Sequence, residues 1–101
     1  MTRRSVDNFE LERWRLLDAA VTVVALSDYA KLDQDYQPRK DQRSTRWHVT
    51  VGGREYEVLC TGPRFLDTRS SKGGGGAVDL AMHLLCIDFK SAVQVLREKA
   101  V

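Results

Sequence analysis

Residues 46 to 60, RWHVTVGGREYEVLC, decide the fold class. Trp47, Val49 and Val51 alternate with polar neighbours, and beyond Gly52-Gly53 Tyr56, Val58 and Cys60 alternate with Glu55, Glu57 and Leu59. Successive strand residues point to opposite faces, so each run has one face to bury. A Gly-Gly pair supplies the positive φ angles of a primed two-residue turn, and this joins the runs as a β-hairpin over about 45–60. TGPR (61–64) reads as another turn, and FLDT (65–68) as part of a third strand over about 64–68.

On either side of this sheet the pattern is helical. Over residues 7 to 29, Asp7 or Asn8 can cap, Glu10 and Glu12 suit a first turn, and Trp14, Leu17, Val21 and Val24 recur at helical spacing. The β-branched stretch VTVV (21–24) suits a strand equally well, and a cap at Asp18 would divide the region into two helices. Residues 31 to 45, polar and containing Pro38, read as a loop. After the glycine run 73–76, Ala77 to Leu85 reads as helix, and Asp88 caps a last helix in which Phe89, Val93 and Leu96 share a face. The expected fold is therefore α+β. An N-terminal helix or helix pair precedes a small antiparallel sheet, and two C-terminal helices follow it. The 101 residues make one domain, with 1–17 as a helical extension.

Composition excludes several classes. With 43% apolar and 30% charged residues the chain is an ordinary globular one, and no apolar run approaches the roughly 18 residues of a membrane span. The start MTRRSVDNFELERW has no apolar core after its arginines, so it is not a secretory signal and a cytoplasmic location is expected. Net charge is only +2, but its distribution is uneven. Between residues 39 and 72 stand Arg39, Lys40, Arg43, Arg46, Arg54, Arg64, Arg69 and Lys72, against the acids Asp41, Glu55, Glu57 and Asp67. Residues 5 to 35 are acidic by comparison. The middle of the chain is a candidate basic face for nucleic acid, and equally a solvated surface.

Few motifs carry chemistry. In KGGGGAVDLAMH (72–83), Lys72 precedes the glycines and Ala77 follows them, whereas a phosphate-binding P-loop needs lysine after them. Glycines that open a helix free its first N–H groups for an anion, so Gly74 and Gly75 are candidate phosphate contacts beside Lys72, Arg69 and Arg64. The plainer reading is a tight joint from sheet to helix. Cys60 and Cys86 have no close-spaced partner, so neither a disulfide nor a zinc site with His48 and His83 is expected, and both read as buried small hydrophobes. No catalytic triad follows from spacing. His83 reads as a satisfied core histidine, His48 as solvent-facing, and Asp33-Gln34-Asp35 as surface charge.

The stretch FLDTRSSKGGGGAVDLAMHLLCIDFKSAVQVL (65–96) resembles the C-terminal half of the Cys-His-Cys-Cys zinc-binding domain of bacterial-type primases. Thr68 and Ser71 occupy the positions of that family's second cysteine pair. The first pair would fall near Pro38 to Asp41, where neither cysteine nor histidine stands. The chain is more similar still to primase-like domains of plasmid and integrative-element proteins that lack zinc ligands. Trp47-His48-Val49, Cys60 to Phe65 and Gly73 to Leu84 carry that likeness. The resemblance implies a degenerate zinc-ribbon-like domain without zinc or another cofactor, which engages DNA, single-stranded above all, in a mobile-element replication or transfer system. Such domains usually precede a Toprim catalytic domain; none is present here, so a non-enzymatic role beside a Toprim primase, a helicase or another replication protein is expected. Trp47 is a candidate to stack a base, but its alternation with Val49 and Val51 equally makes it core. The alternative is a protein-interaction module that has lost DNA binding and uses the acidic first helix and a sheet edge.

Overall fold

The computed structural model describes residues 7 to 101; the MTRRSV start, and with it the first part of the 1–17 extension, lies outside the described residues. The described chain is α+β, with four helices and a five-stranded antiparallel sheet. Helices α1 (Asn8–Leu16) and α2 (Ala19–Leu26) come first. Strands β1 (Tyr29–Leu32), β2 (Thr45–Val51), β3 (Arg54–Thr61), β4 (Arg64–Asp67) and β5 (Lys72–Gly75) follow, then α3 (Ala77–Leu85) and α4 (Phe89–Glu98). The strands pair in chain order, each with the next. No described helix is long and apolar enough to cross a membrane.

Local chemistry places most elements where the sequence expects them. Asp7 caps α1 by accepting the Glu10 N–H at 2.8 Å, and Asp88 caps α4 by accepting that of Ser91 at 2.9 Å. Gly52 and Gly53 take φ of 57° and 79°, as the primed turn requires, and Thr45 through Val51 pair with Arg54 through Cys60 in the expected register.

Four expectations are corrected. The chain does break before Asp18, and the break resets the helical phase. Val21 and Val24 consequently face solvent, while Ala19, Thr22, Val23 and Leu26 are buried. The segment read as loop from residue 31 begins inside β1, which pairs with β2 from Tyr29↔Thr50 to Leu32↔Trp47. The three-strand sheet over 45–68 thus gains a strand at each edge. The glycine run is the other addition. Lys72 to Gly75 form β5 against β4, and only Gly76, at φ 90°, makes the joint into α3. Finally, Cys86 is exposed, because α3 ends at Leu85 and Cys86 turns out of it in a left-handed conformation at φ 55°. Cys60 is buried as expected, and burial pushes its thiol up to about 12.

The helices cover one face of the sheet. Ala19 and Val23 of α2 and Leu80 and Leu84 of α3 pack on Val49, Val51, Val58, Cys60 and Phe65. A second cluster joins Trp14 of α1 to Ala77, Ala81, Ala92, Val93 and Leu96. Polar contacts tie α1 down: Arg97 of α4 meets the Glu10 carboxylate at 2.6 and 2.9 Å, and the Trp14 indole N–H donates to the Val101 carbonyl at 2.9 Å. One carboxylate enters the covered face. Asp67 of β4 is 3% exposed and lies 2.7 Å from Nε2 of His83 on α3.

Candidate nucleic-acid interface

Strand alternation sends the remaining side chains to the face that no helix covers. Register aligns them in rows: Arg46, Leu59, Leu66 and Gly73 form one, Thr61, Arg64 and Gly75 the next, and Lys31, His48 and Glu57 a third. The loop between β1 and β2 folds over the first two rows. Between loop and sheet lies an open groove of about 460 Å³, lined by Tyr36, Arg39, Lys40, Leu59, Arg64 and Leu66 among others. Leu66 is 40% exposed on its floor.

Asp33 fixes the loop to the sheet. Its Oδ2 accepts from Nε and a terminal nitrogen of Arg46 at 2.9 and 2.7 Å and lies 3.1 Å from His48 Nε2. The Arg46 guanidinium in turn lies over the Tyr36 ring, 4.9 Å from its centroid. Asp33 is thus part of a network, contrary to its reading as free surface charge. Hydrogen bonds from His48 and then Arg46 hold its carboxyl down at about 2, and those from Arg43 do the same for Asp41. A carboxyl lowered on folding contributes stability above its unfolded value of 3.8, and that contribution is lost as pH falls towards 2. The urea midpoint is therefore expected to fall between pH 4 and pH 2, and Asp33→Asn is expected to make that fall shallower.

The eight basic residues do not form one stripe. Arg39, Lys40 and Arg64 line the groove. Arg43 is held by Asp41 at 2.8 and 3.1 Å beside Gly62, and Arg46 by Asp33. Arg54 lies at the hairpin end on the helix-side register, and Lys72 lines a cleft below α3. Arg69 stands in the turn after β4. Among the described residues Arg39, Lys40, Arg54, Arg64, Arg69 and Lys72 carry no ion pair.

The two candidate glycines separate as well. A Cβ on Gly74 would meet the Phe65 ring at 3.0 Å, so internal packing accounts for that glycine. On Gly75 it would meet nothing nearer than Arg64 Cγ at 3.9 Å, and no positive φ requires glycine there. The Gly75 N–H faces the Asp79 carboxylate at 3.4 Å, so an anion at this helix start would meet a negative charge.

Trp47 points to the covered side, half-buried, with its N–H on Thr45 Oγ1 at 3.0 Å. Tyr29 of β1 and Tyr36 of the loop are the aromatics that the described residues place on the open face, and Tyr36, the one at the groove, was passed over by sequence reading. Its signal was a lone aromatic in an otherwise polar, Pro-containing loop. At Thr68, one of the two positions that the resemblance would align with a cysteine, the hydroxyl is hydrogen-bonded to Glu57, and beside it Asp67 accepts the N–H groups of Arg69 and Ser70 at 3.0 and 3.3 Å. These residues do not fit a zinc ion, and among the described residues no cluster of three or more His, Cys, Asp or Glu is placed to hold a metal. No protein-family model, no curated protein and no solved structure matches the chain.

Proposed function

We propose that this chain is a non-enzymatic accessory module that binds single-stranded nucleic acid, DNA above all, along the open face of its sheet. The observation that carries the reading is the groove, where Arg39, Lys40 and Arg64 stand without ion pairs around Tyr36, Leu59 and Leu66. Phosphates would lie on the three cations, and a base would stack on Tyr36, whose ring is positioned by Arg46. Gly75 beside Arg64 supports the same face, since a strand glycine that packing does not need often marks close approach of a ligand.

The likeness to zinc-less primase domains supports DNA and a place in mobile-element replication or transfer, beside a Toprim primase or helicase. On that reading the fold is a degenerate zinc ribbon. The turn that a metal would have closed is closed instead by Asp67 and Thr68 hydrogen bonds.

The test is fluorescence anisotropy with labelled single- and double-stranded oligonucleotides across a salt series. Three phosphate contacts give a log–log salt slope of about −2 on a single strand. The Arg39→Glu, Arg64→Glu double variant is expected to bind at least about tenfold more weakly with a flatter slope, and Tyr36→Ala about fivefold more weakly. No binding at low salt, or binding indifferent to the double variant, would sink the reading. Failure would favour the second one, a protein-interaction module, because Phe9 and Leu16 of α1 and Val21 and Val24 of α2 leave apolar surface exposed.

A further inference from the structure

β5 is an edge strand, and among the described residues no strand pairs with its outer side. Gly76 donates to the Pro63 carbonyl at 3.0 Å, and Thr68 to that of Glu57 at 3.1 Å. Antiparallel alternation then turns the backbone groups of Lys72 and Gly74 towards β4, and those of Gly73 and Gly75 outward. The Gly75 N–H is taken by Asp79, which leaves the Gly73 N–H and both carbonyls facing out. Edge strands are normally blunted by proline, bulges or charged side chains, and β5 carries only Lys72 at its start. The opposite edge, β1, carries Tyr29, Lys31 and Leu32 over a similar length.

Beside the β5 edge runs a cleft of about 400 Å³ between the strand and α3. Phe65, Met82 and Ile87 supply its apolar wall, with His83 between them held by the buried Asp67. Lys72 lies at one end without an ion pair, and Asp79 at the other. An edge and a parallel cleft together make the geometry by which sheets take up extended peptides: the backbone pairs with the edge and alternate side chains enter the cleft.

We propose that β5 takes up an extended segment of a partner protein as a sixth strand. One apolar side chain of that segment sits against Phe65, Met82 and Ile87, and an acidic side chain two residues away, on the same face, pairs with Lys72. The acidic choice follows from charge complementarity: Lys72 is the cation of the cleft lacking a carboxylate, whereas Asp79 already faces the Gly75 amide. This surface shares Phe65 with the Arg39, Lys40 and Arg64 groove but none of its cations, and the proposal does not depend on that groove.

The test is panning of a phage-displayed random peptide library on the immobilised full chain, followed by anisotropy on a synthetic copy of an enriched peptide. The expected result is enrichment of an apolar residue and an acid two positions apart. N-methylation of every second peptide amide should abolish binding in one parity and leave it within about threefold in the other, because strand addition uses alternate N–H groups. Lys72→Glu, whose fold is checked by a thermal melt, should weaken the peptide about tenfold, and Arg64→Glu should not. No enrichment, equal binding of both methylated series, or indifference to Lys72→Glu overturns the proposal.

Discussion

Asp67→Ala is expected to lower the unfolding free energy by about 3 kcal/mol, read as a lower urea midpoint at unchanged slope. The carboxylate is almost wholly buried, and five groups depend on it or pack around its partner. His83 Nε2 lies 2.7 Å from one oxygen, and the Arg69 and Ser70 amides donate to the other. Tyr56 and Phe65 pack on the imidazole, with ring centroids 5.8 and 5.9 Å away. Truncation leaves an imidazole and two amides without their acceptor, and opens the turn that leads into β5. Removing one partner of a buried pair costs about 3–5 kcal/mol; the lower end applies because the His83 side chain keeps 20% exposure. Such a loss is a large fraction of the roughly 5–15 kcal/mol that holds a domain of this size. Asp67→Asn keeps one acceptor oxygen for the turn and is expected to cost about half as much.

The same residue gives a pH signature. Burial pushes the Asp67 carboxyl up, but hydrogen bonds from His83, Ser70 and Arg69 together outweigh it, so the group titrates below its usual 3.8. Its contribution is therefore complete above the unfolded value and lost as pH falls through the folded one. The difference between wild type and Asp67→Ala should narrow below pH 4. A difference that stayed constant down to pH 2 would contradict this account of the carboxylate.

Gly76→Ala is expected to cost about 2–3 kcal/mol, while Gly75→Ala, one residue earlier, should be neutral or slightly stabilising. Gly76 sits at φ 90°, ψ 157°, a region that side-chain-bearing residues almost never occupy. A Cβ there would also stand 3.3 Å from the Arg15 Cα, so the backbone of α1 would have to give by a few tenths of an ångström. Gly75 has neither constraint, and alanine there removes unfolded-state freedom. Equal midpoints for the two variants would refute the assignment of the joint to Gly76. The pair also separates folding from binding. Gly75→Ala should melt like wild type yet bind oligonucleotide more weakly, if a ligand lies against that peptide plane.

The groove shows why the site was only partly legible. Basic character between residues 39 and 72 is visible in the chain, but which cations remain unpaired depends on carboxylates brought from elsewhere. Asp33 claims Arg46 across the sheet, and Asp41 claims Arg43 within the loop. Arg64 joins Arg39 and Lys40 only because β4 pairs with β3 beneath the loop. Tyr36 belongs to no periodic pattern, and its place over Arg46 follows from that same folding of the loop.

What the amino-acid sequence determined by itself is everything held by neighbours in the chain. Alternation about Gly52-Gly53 dictated the hairpin and its register, and Asp7 and Asp88 dictated two helix starts, since turns and caps close within a few residues. The tertiary structure alone decided β1 and β5. A four-residue edge strand takes its conformation from the ladder it joins, and KGGG has almost no side chains whose alternation could announce it. The tertiary structure likewise decided the outward turn of Val21 and Val24, the meeting of Asp67 with His83, and the opposite surroundings of Gly74 and Gly75. Each of these depends on contacts between residues distant in sequence, and the sheet's register brings them together.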